Sequence, residues 1–297
     1  MAALNAPRLL PLVLAVALVS GACRSARPAA GTAPAGPAAP GAPAQRYESL
    51  RALLWFQSAE ECRWIQRSAF AAARRSLEAA LADASWSALG QGPDAAALPP
   101  AVIADLDETL LDNSAFEGGL LRSGATFSAE AWRSWVEAER ATALPGALEF
   151  VRFAAEHGVT VFYVSNRDAP FEAATRANLA REGFPLRDDL DTVMLRGERP
   201  EWKTDKESRR REISASHRVL LLLGDDLNDF LPGVDATPVA ERRAAAEAHG
   251  ERWGVSWFVL PNPLYGSWEK ALGAGQPAPA DAAEALARRL GHVRAFP

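Results

Sequence analysis

Apolar and polar positions change pattern three times along the chain. Residues 9–19 are an apolar run behind Arg8, and Ser20, Gly21 and Ala22 after it are small. This is the pattern of an export signal over residues 1–22, and the run is short for a membrane-spanning helix. Residues 24–45 are Ala, Pro and Gly with almost no large apolar side chain. Such a segment cannot bury enough surface to fold, so a disordered tether is expected over residues 23–45. Beyond it the pattern becomes periodic. Residues 47–83 hold no Pro or Gly and space Leu50, Leu53 and Leu54, then Trp64, Ile65 and Ser68, at helical intervals. They predict one or two helices.

Residues 90–100 form a polar, Pro-containing connector, and a different pattern follows. Residues 101–104, 159–164, 192–195, 218–223 and 255–260 are short apolar runs without polar alternation. Strands covered on both faces look like this. Helical stretches separate them. One covers residues 129–140, with Ser128 as its cap; a second opens at Pro145 and ends at Gly158. A third begins at Asp168 or Ala169, with Pro170 in its first turn and Gly183 after it. A basic helix carries Lys206, Arg209, Arg210 and Arg211 and can be capped by Asp205; another helix spans 239–249. Alternation of this kind predicts an α/β fold, a Rossmann-like parallel sheet with helices on both faces. Residues 116–144 interrupt it after the first strand, where a small helical cap would sit. Trp132 and Trp135 lie on neighbouring turns of that insertion, as core anchors or as part of the cap.

Composition narrows the class. A chain of 297 residues allows one large domain or two small ones, and 48% hydrophobic residues are ample for a core. The net charge of −5 gives no basic face for polymeric nucleic acid. The two cysteines, Cys23 and Cys62, make no disulfide framework, and Cys62 is expected to be a small buried residue. Cys23 directly follows Gly-Ala, like the lipidated cysteine of a bacterial lipoprotein; ordinary signal cleavage is the alternative. The expected organisation is therefore a signal, a tether, and one domain over residues 46–297. That domain has a helical part at 46–95, a cap insertion at 115–144, and a core at 100–114 and 145–273.

Three of the buried strands end on chemistry. The first runs into Asp105, Asp107 and Glu108, the second into Ser165, Asn166 and Arg167, and the last core strand into Asp225 and Asp229. In parallel sheets ligands bind outside the carboxyl ends of the strands. Clustered carboxylates repel one another, and a hard cation such as Mg²⁺ holds them together. An Asp-rich strand-end turn is the alternative for any one of these sites; three together favour an enzyme. Asp105 can act as a nucleophile toward phosphorus. Asp107 can carry the leaving group's proton. Ser165 and Lys206 offer donors to phosphate oxygens, while Asp225 and Asp229 complete the metal site.

These residues carry a resemblance. Asp105-Leu-Asp-Glu-Thr109, Ser165 after an apolar strand, Lys206, and Gly224-Asp225 with Asp229 resemble the four motifs of the haloacid dehalogenase phosphatases. Trp55 with Gln57 to Glu60, Asp112 to Ser114, Trp132 with Trp135, Pro145 to Ala147, Val164 to Arg167, and Asn262 with Tyr265, Trp268 and Glu269 narrow the match. They are similar to class C acid phosphatases, the outer-membrane lipoprotein e group of 5′-nucleotidases. The resemblance covers residues 47–273.

It implies the haloacid dehalogenase fold, Mg²⁺ held by Asp105, the Asp107 carbonyl, Asp225 and Asp229, and hydrolysis of small phosphomonoesters, nucleoside 5′-monophosphates above all. It implies phosphate contacts from Ser165, Asn166 and Lys206. It implies a nucleobase held between aromatic side chains, here Phe127 and Tyr265, with Trp132 and Arg167 in the substrate-binding set. Lys206 fits the family pattern better than Lys203. Lipidation at Cys23 would place the protein on the outer membrane of the cell envelope; without the anchor it would be periplasmic. A homodimer is left open. The competing readings are a phosphatase of sugar or other small esters and a non-catalytic surface-binding lipoprotein.

Overall fold

A computed structural model describes residues 49–295. The signal, the tether and Cys23 lie outside the described residues. Within them no helix is long and apolar enough to cross a membrane.

The first helical segment is two helices, α1 (Leu50–Ser58) and α2 (Glu60–Ala82). They break at Ala59, whose backbone is extended. A short 3-10 turn at Pro93–Ala97 lies in the connector. Strand β1 (Pro100–Ala104) follows, then β2 (Leu111–Asp112), which pairs antiparallel with β3 (Thr142–Ala143). Between that pair lie α3 (Ser114–Ser123) and α4 (Ala129–Glu137). Ser128 caps α4 by accepting from the Ala131 N–H at 3.1 Å, as expected. The sequence pattern did not reveal α3: it holds Gly118 and Gly119, which weaken helical propensity, and only Ser114 and Phe116 are buried. Helix α4 also ends short of residue 140, and Glu139 takes a left-handed backbone just beyond it.

Helix α5 (Ala147–Glu156), β4 (Thr160–Asp168), α6 (Glu172–Glu182), β5 (Val193–Arg196), α7 (Glu207–Ser216) and β6 (Arg218–Gly224) complete the alternation. A 3-10 turn at Ala169–Phe171 precedes α6, and Gly183 closes it in the left-handed conformation expected of a helix stop. After α8 (Val239–Glu247) and β7 (Trp257–Val259) come α9 (Ser267–Ala271) and α10 (Ala282–Gly291).

The main sheet has the order β5-β4-β1-β6-β7 and every pairing is parallel. Successive side chains of β1 go to opposite faces. Val102 and Ala104 join a core with Phe70 and Leu77 of α2 and Phe150 of α5. Ala101 and Ile103 join a second core with Ile213 of α7, Trp202, Phe230 and Trp257. Apolar cover on both faces is why these strands lack polar alternation. Cys62 is fully buried in the first core. With β1 central and flanked by β4 and β6, the three chemistry-bearing strand ends emerge side by side.

Candidate active site

The end of β1 delivers Asp105, and the chain then turns sharply. Glu108 takes a left-handed backbone (φ 59°), unusual for a residue with a Cβ. Two bonds hold the turn. The Glu108 N–H donates to the Leu111 carbonyl at 2.8 Å, and its side chain accepts from the Asn113 N–H at 2.8 Å. Glu108 is fully buried, and burial together with the nearby Asp107 and Asp225 pushes its carboxyl well above the usual range. This carboxylate shapes the turn that aims Asp105 and Asp107.

Asp105, Asp225 and Asp229 bring one carboxylate oxygen each within 4.8 Å of one another. Burial raises the Asp105 carboxyl to about 6 against the pull of Lys206, and Asp229 and Asp107 push it the same way as burial. Asp225 is held well above its ordinary value by burial and by the charges of Asp105 and Asp229. The Thr109 hydroxyl lies 2.9 Å from Asp225 and 3.3 Å from Asp105, so it supplies its one proton to either. Asn262 donates to Asp225 at 2.8 Å. Asp229 accepts from the Asp226 N–H at 2.9 Å and folds back over the end of β6. Only glycine permits this, since a Cβ at Gly224 would meet the Asp229 carboxylate at 2.2 Å.

Lys206 is 3% exposed, and its ammonium donates to Asp105 and, at 2.6 Å, to Asp229. Burial opposes its charge, but the two carboxylates outweigh burial and hold it above its ordinary value. Helix α7 starts one residue after Lys206, which therefore sits at the cap position rather than inside the first turn. Asp205 still serves that end, accepting from the Glu207 N–H at 2.7 Å. With all three carboxyls ionised, as a bound cation would hold them, they and the one ammonium leave two negative charges in a space whose only metal-ligating atoms are oxygens. That balance fits a divalent hard cation, with Asp105, Asp225 and Asp229 as the residues to hold it.

The Asp107 carboxylate stands outside this group. Arg167 grips it through two nitrogens, at 2.8 and 3.0 Å, and Asn113 donates to it at 2.9 Å. Arg167, expected among the substrate contacts, is 2% exposed and spends its guanidinium on Asp107, Thr175 and Asn113. The Ser165 hydroxyl lies 3.5 Å from Asp107 and accepts from the Arg167 N–H at 3.0 Å. The Asn166 side chain is committed at both ends. Its amide N–H donates to the Thr204 carbonyl at 2.9 Å and its oxygen accepts from Arg209 at 2.7 Å.

Several residues that build the site carried no distinct signal. Arg209 and Arg210 belong to a basic helix, yet both are buried. Arg209 donates to the carbonyls of Ser165 and Lys203, and burial brings its guanidinium down to about 10. Arg210 donates to the carbonyls of Asn228 and Asp229 at 2.9 and 2.8 Å. Helix α7 thus ties the end of β4 and the loop after β5 to the turn after β6. Nothing in a run of arginines announces which of them turn inward.

Above the carboxylates opens a cleft of about 1460 Å³. Asp105, Asp107, Lys206 and Asp225 line it together with Phe127, Trp132 and Tyr265. Phe127 is exposed, while Trp132 packs edge-on against Phe116 at 5.2 Å. The Tyr265 loop is anchored by Asn262, whose side-chain oxygen accepts from the Leu264 N–H at 2.9 Å. One amide thus holds both a carboxylate of the cluster and an aromatic loop.

Residues 19–268 match the model of the HAD superfamily, subfamily IIIB (Acid phosphatase). The fold is similar to the class C acid phosphatase from Bacillus anthracis, at 31% identity and a TM-score of 0.73, over 85% of this chain and 99% of that one. The same values hold for that enzyme with tungstate bound. Acid phosphatase 1 of Solanum lycopersicum is 27% identical over 167 residues, 55% of this chain and 57% of its own length. The chain thus spans little more than half the length of that curated relative. The match of the family model over most of the chain, on a sheet whose three central strands end in the clustered carboxylates and the serine, shows that the chain belongs to the HAD superfamily, subfamily IIIB, a family of acid phosphatases.

Proposed function

We propose that the chain is a Mg²⁺-dependent acid phosphatase that hydrolyses nucleoside 5′-monophosphates through an aspartyl-phosphate intermediate, an acyl phosphate formed on Asp105. The observation that carries this reading is the buried constellation of Asp105, Asp225, Asp229 and Lys206, with Asp107 held separately beside it. Asp105 attacks phosphorus, and the bond from phosphorus to the ester oxygen breaks. Asp107 gives its proton to that oxygen, so the alcohol leaves neutral. Asp107 then takes a proton from water as the water oxygen attacks phosphorus, which frees inorganic phosphate and the Asp105 carboxylate. Lys206 stabilises negative charge on the transferring group. Mg²⁺, when bound by Asp105, Asp225 and Asp229, supplies charge neutralisation at the phosphoryl oxygens. The tungstate complex of the Bacillus anthracis enzyme supports an oxyanion site in this fold.

Exhaustive treatment with EDTA will remove turnover of nitrophenyl phosphate, and added Mg²⁺ will restore it. Turnover that survives chelation takes the metal out of the mechanism.

The nucleotide reading rests on the aromatic rim. Stacking on an aromatic face contributes about 1–3 kcal/mol per base and tolerates any base. Tyr265→Ala will therefore lower kcat/KM for nucleoside monophosphates about tenfold or more. Glycerol phosphate has no ring to stack and will be nearly unaffected. Equal losses on the two substrates mean that Tyr265 is structural and that any nucleotide preference lies elsewhere.

A further inference from the structure

Asp107 is reached from the cap by an unbroken chain of hydrogen bonds. Trp135 of α4 donates its indole N–H to the Asn113 side-chain oxygen at 2.8 Å. The Asn113 amide nitrogen donates to Asp107 at 2.9 Å. Asn113 is fully buried, so neither end of its amide has water as a substitute partner.

The chemistry of the partners fixes which way this amide points. An indole N–H and a guanidinium can only donate, and both meet the oxygen end: Trp135 at 2.8 Å and Arg167 at 3.5 Å. The nitrogen end meets Asp107, an acceptor, at 2.9 Å. A flipped amide would set its oxygen against the Asp107 carboxylate and its nitrogen against two donors. Three contacts therefore agree on a single orientation, and the 2.8 Å bond from Trp135 is the tighter of the two at the oxygen end.

Trp135 is part of the cap helix that also carries Trp132. The Trp132 ring lines the cleft and lies 5.8 Å from the Arg167 guanidinium. The seat of α4 is thus coupled twice to Asp107, through Trp132 over Arg167 and through Trp135 on Asn113. We infer that Trp135 is a positioning residue, which through the Asn113 amide holds the Asp107 carboxyl in line with the leaving-group oxygen. Trp135 itself is not among the residues that line the cleft. The inference rests on the proposed role of Asp107 as the proton donor.

A displaced proton donor matters most for an alcohol that leaves badly without a proton. General acid catalysis contributes about 10²–10⁴-fold where the leaving group needs it. Trp135→Phe keeps an aromatic ring and removes the donor. It will lose about tenfold in kcat on glycerol phosphate, with KM unchanged, and less than about twofold on nitrophenyl phosphate, whose leaving group needs little protonation. Replacing Trp135 by 3-benzothienylalanine keeps the bicyclic shape and removes only the N–H, so it tests the donor even if the phenylalanine variant folds poorly. The same split between the two esters is expected. Equal losses on both esters, or no loss on either, in a variant with wild-type thermal stability overturn the positioning role. Wild-type turnover of both esters is measured first, and a wild type inactive on both overturns the proposed function together with this role.

Discussion

Asp105→Asn will leave a folded protein that releases phosphate at least about a thousandfold more slowly, as removal of an essential nucleophile does elsewhere. An amide is a poor nucleophile toward phosphorus, and the substitution also deletes one of three carboxylates suited to the cation. The fold should tolerate it because the cost of burying a charge at position 105 is already visible. Desolvation raises this carboxyl to about 6 in spite of the adjacent ammonium. Asn has the same shape without that charge. The measurement is phosphate release on nitrophenyl phosphate, alongside thermal unfolding with and without Mg²⁺. A residual rate above about one tenth of wild type, where loss of a nucleophile costs orders of magnitude, would take the nucleophile's role away from Asp105.

Lys206→Met will damage turnover and stability together. The ammonium lies between Asp105 and Asp229, each nearly buried. Removing one partner from a buried ion pair costs about 3–5 kcal/mol, because the remaining charges lose their compensation. The loss of a donor aimed at developing charge costs about 10²–10³-fold in rate. Mg²⁺ should recover part of the stability, since a ligand bound only by the folded state raises it. The dependence on pH adds a signature. The raised Asp105 carboxyl binds its proton more tightly in the folded chain than in the unfolded one. Between about pH 4 and pH 6 the folded state therefore holds more protons, and metal-free stability falls as pH rises through that window. Lys206 lowers this carboxyl, so its removal should extend the fall to higher pH. Thermal midpoints that are unchanged by the substitution and flat with pH would contradict this account.

How far such a site can be read from sequence depends on whether its signals are local. The strands at 101–104, 159–164 and 218–223 are legible because cover on both faces demands continuous apolar runs. Asp105, Lys206 and Asp225 follow from what those strands and the basic helix deliver. Helix α3 is hidden by Gly118 and Gly119, since its place depends on packing that a propensity does not see. The partners of Asp107 are hidden for a different reason. Arg167, Asn113 and, behind Asn113, Trp135 come from three separate stretches, and only the folded chain shows that a residue expected at the substrate also grips Asp107. Arg209 and Arg210 make the same point, as two charges in a polar run that the fold turns inward to tie loops together.

The central position of β1 also has a kinetic consequence. Ala101 pairs with Thr160 on one side and Val219 on the other, and Thr109 bonds Asp225 across 116 residues. Contacts so distant in sequence are slow to form, because loop-closure entropy must be met before they reward the chain. A chain growing from its N-terminus makes β1 early, yet it must leave one edge of that strand unpaired until β6 arrives. The last carboxylate of the cluster, Asp229, arrives later still. Nascent chains that end before residue 218 therefore carry Asp105 with no cation site and expose a flat apolar edge, the surface on which aggregation begins. The carboxylate cluster is completed late, just after the strand that covers the second edge of β1.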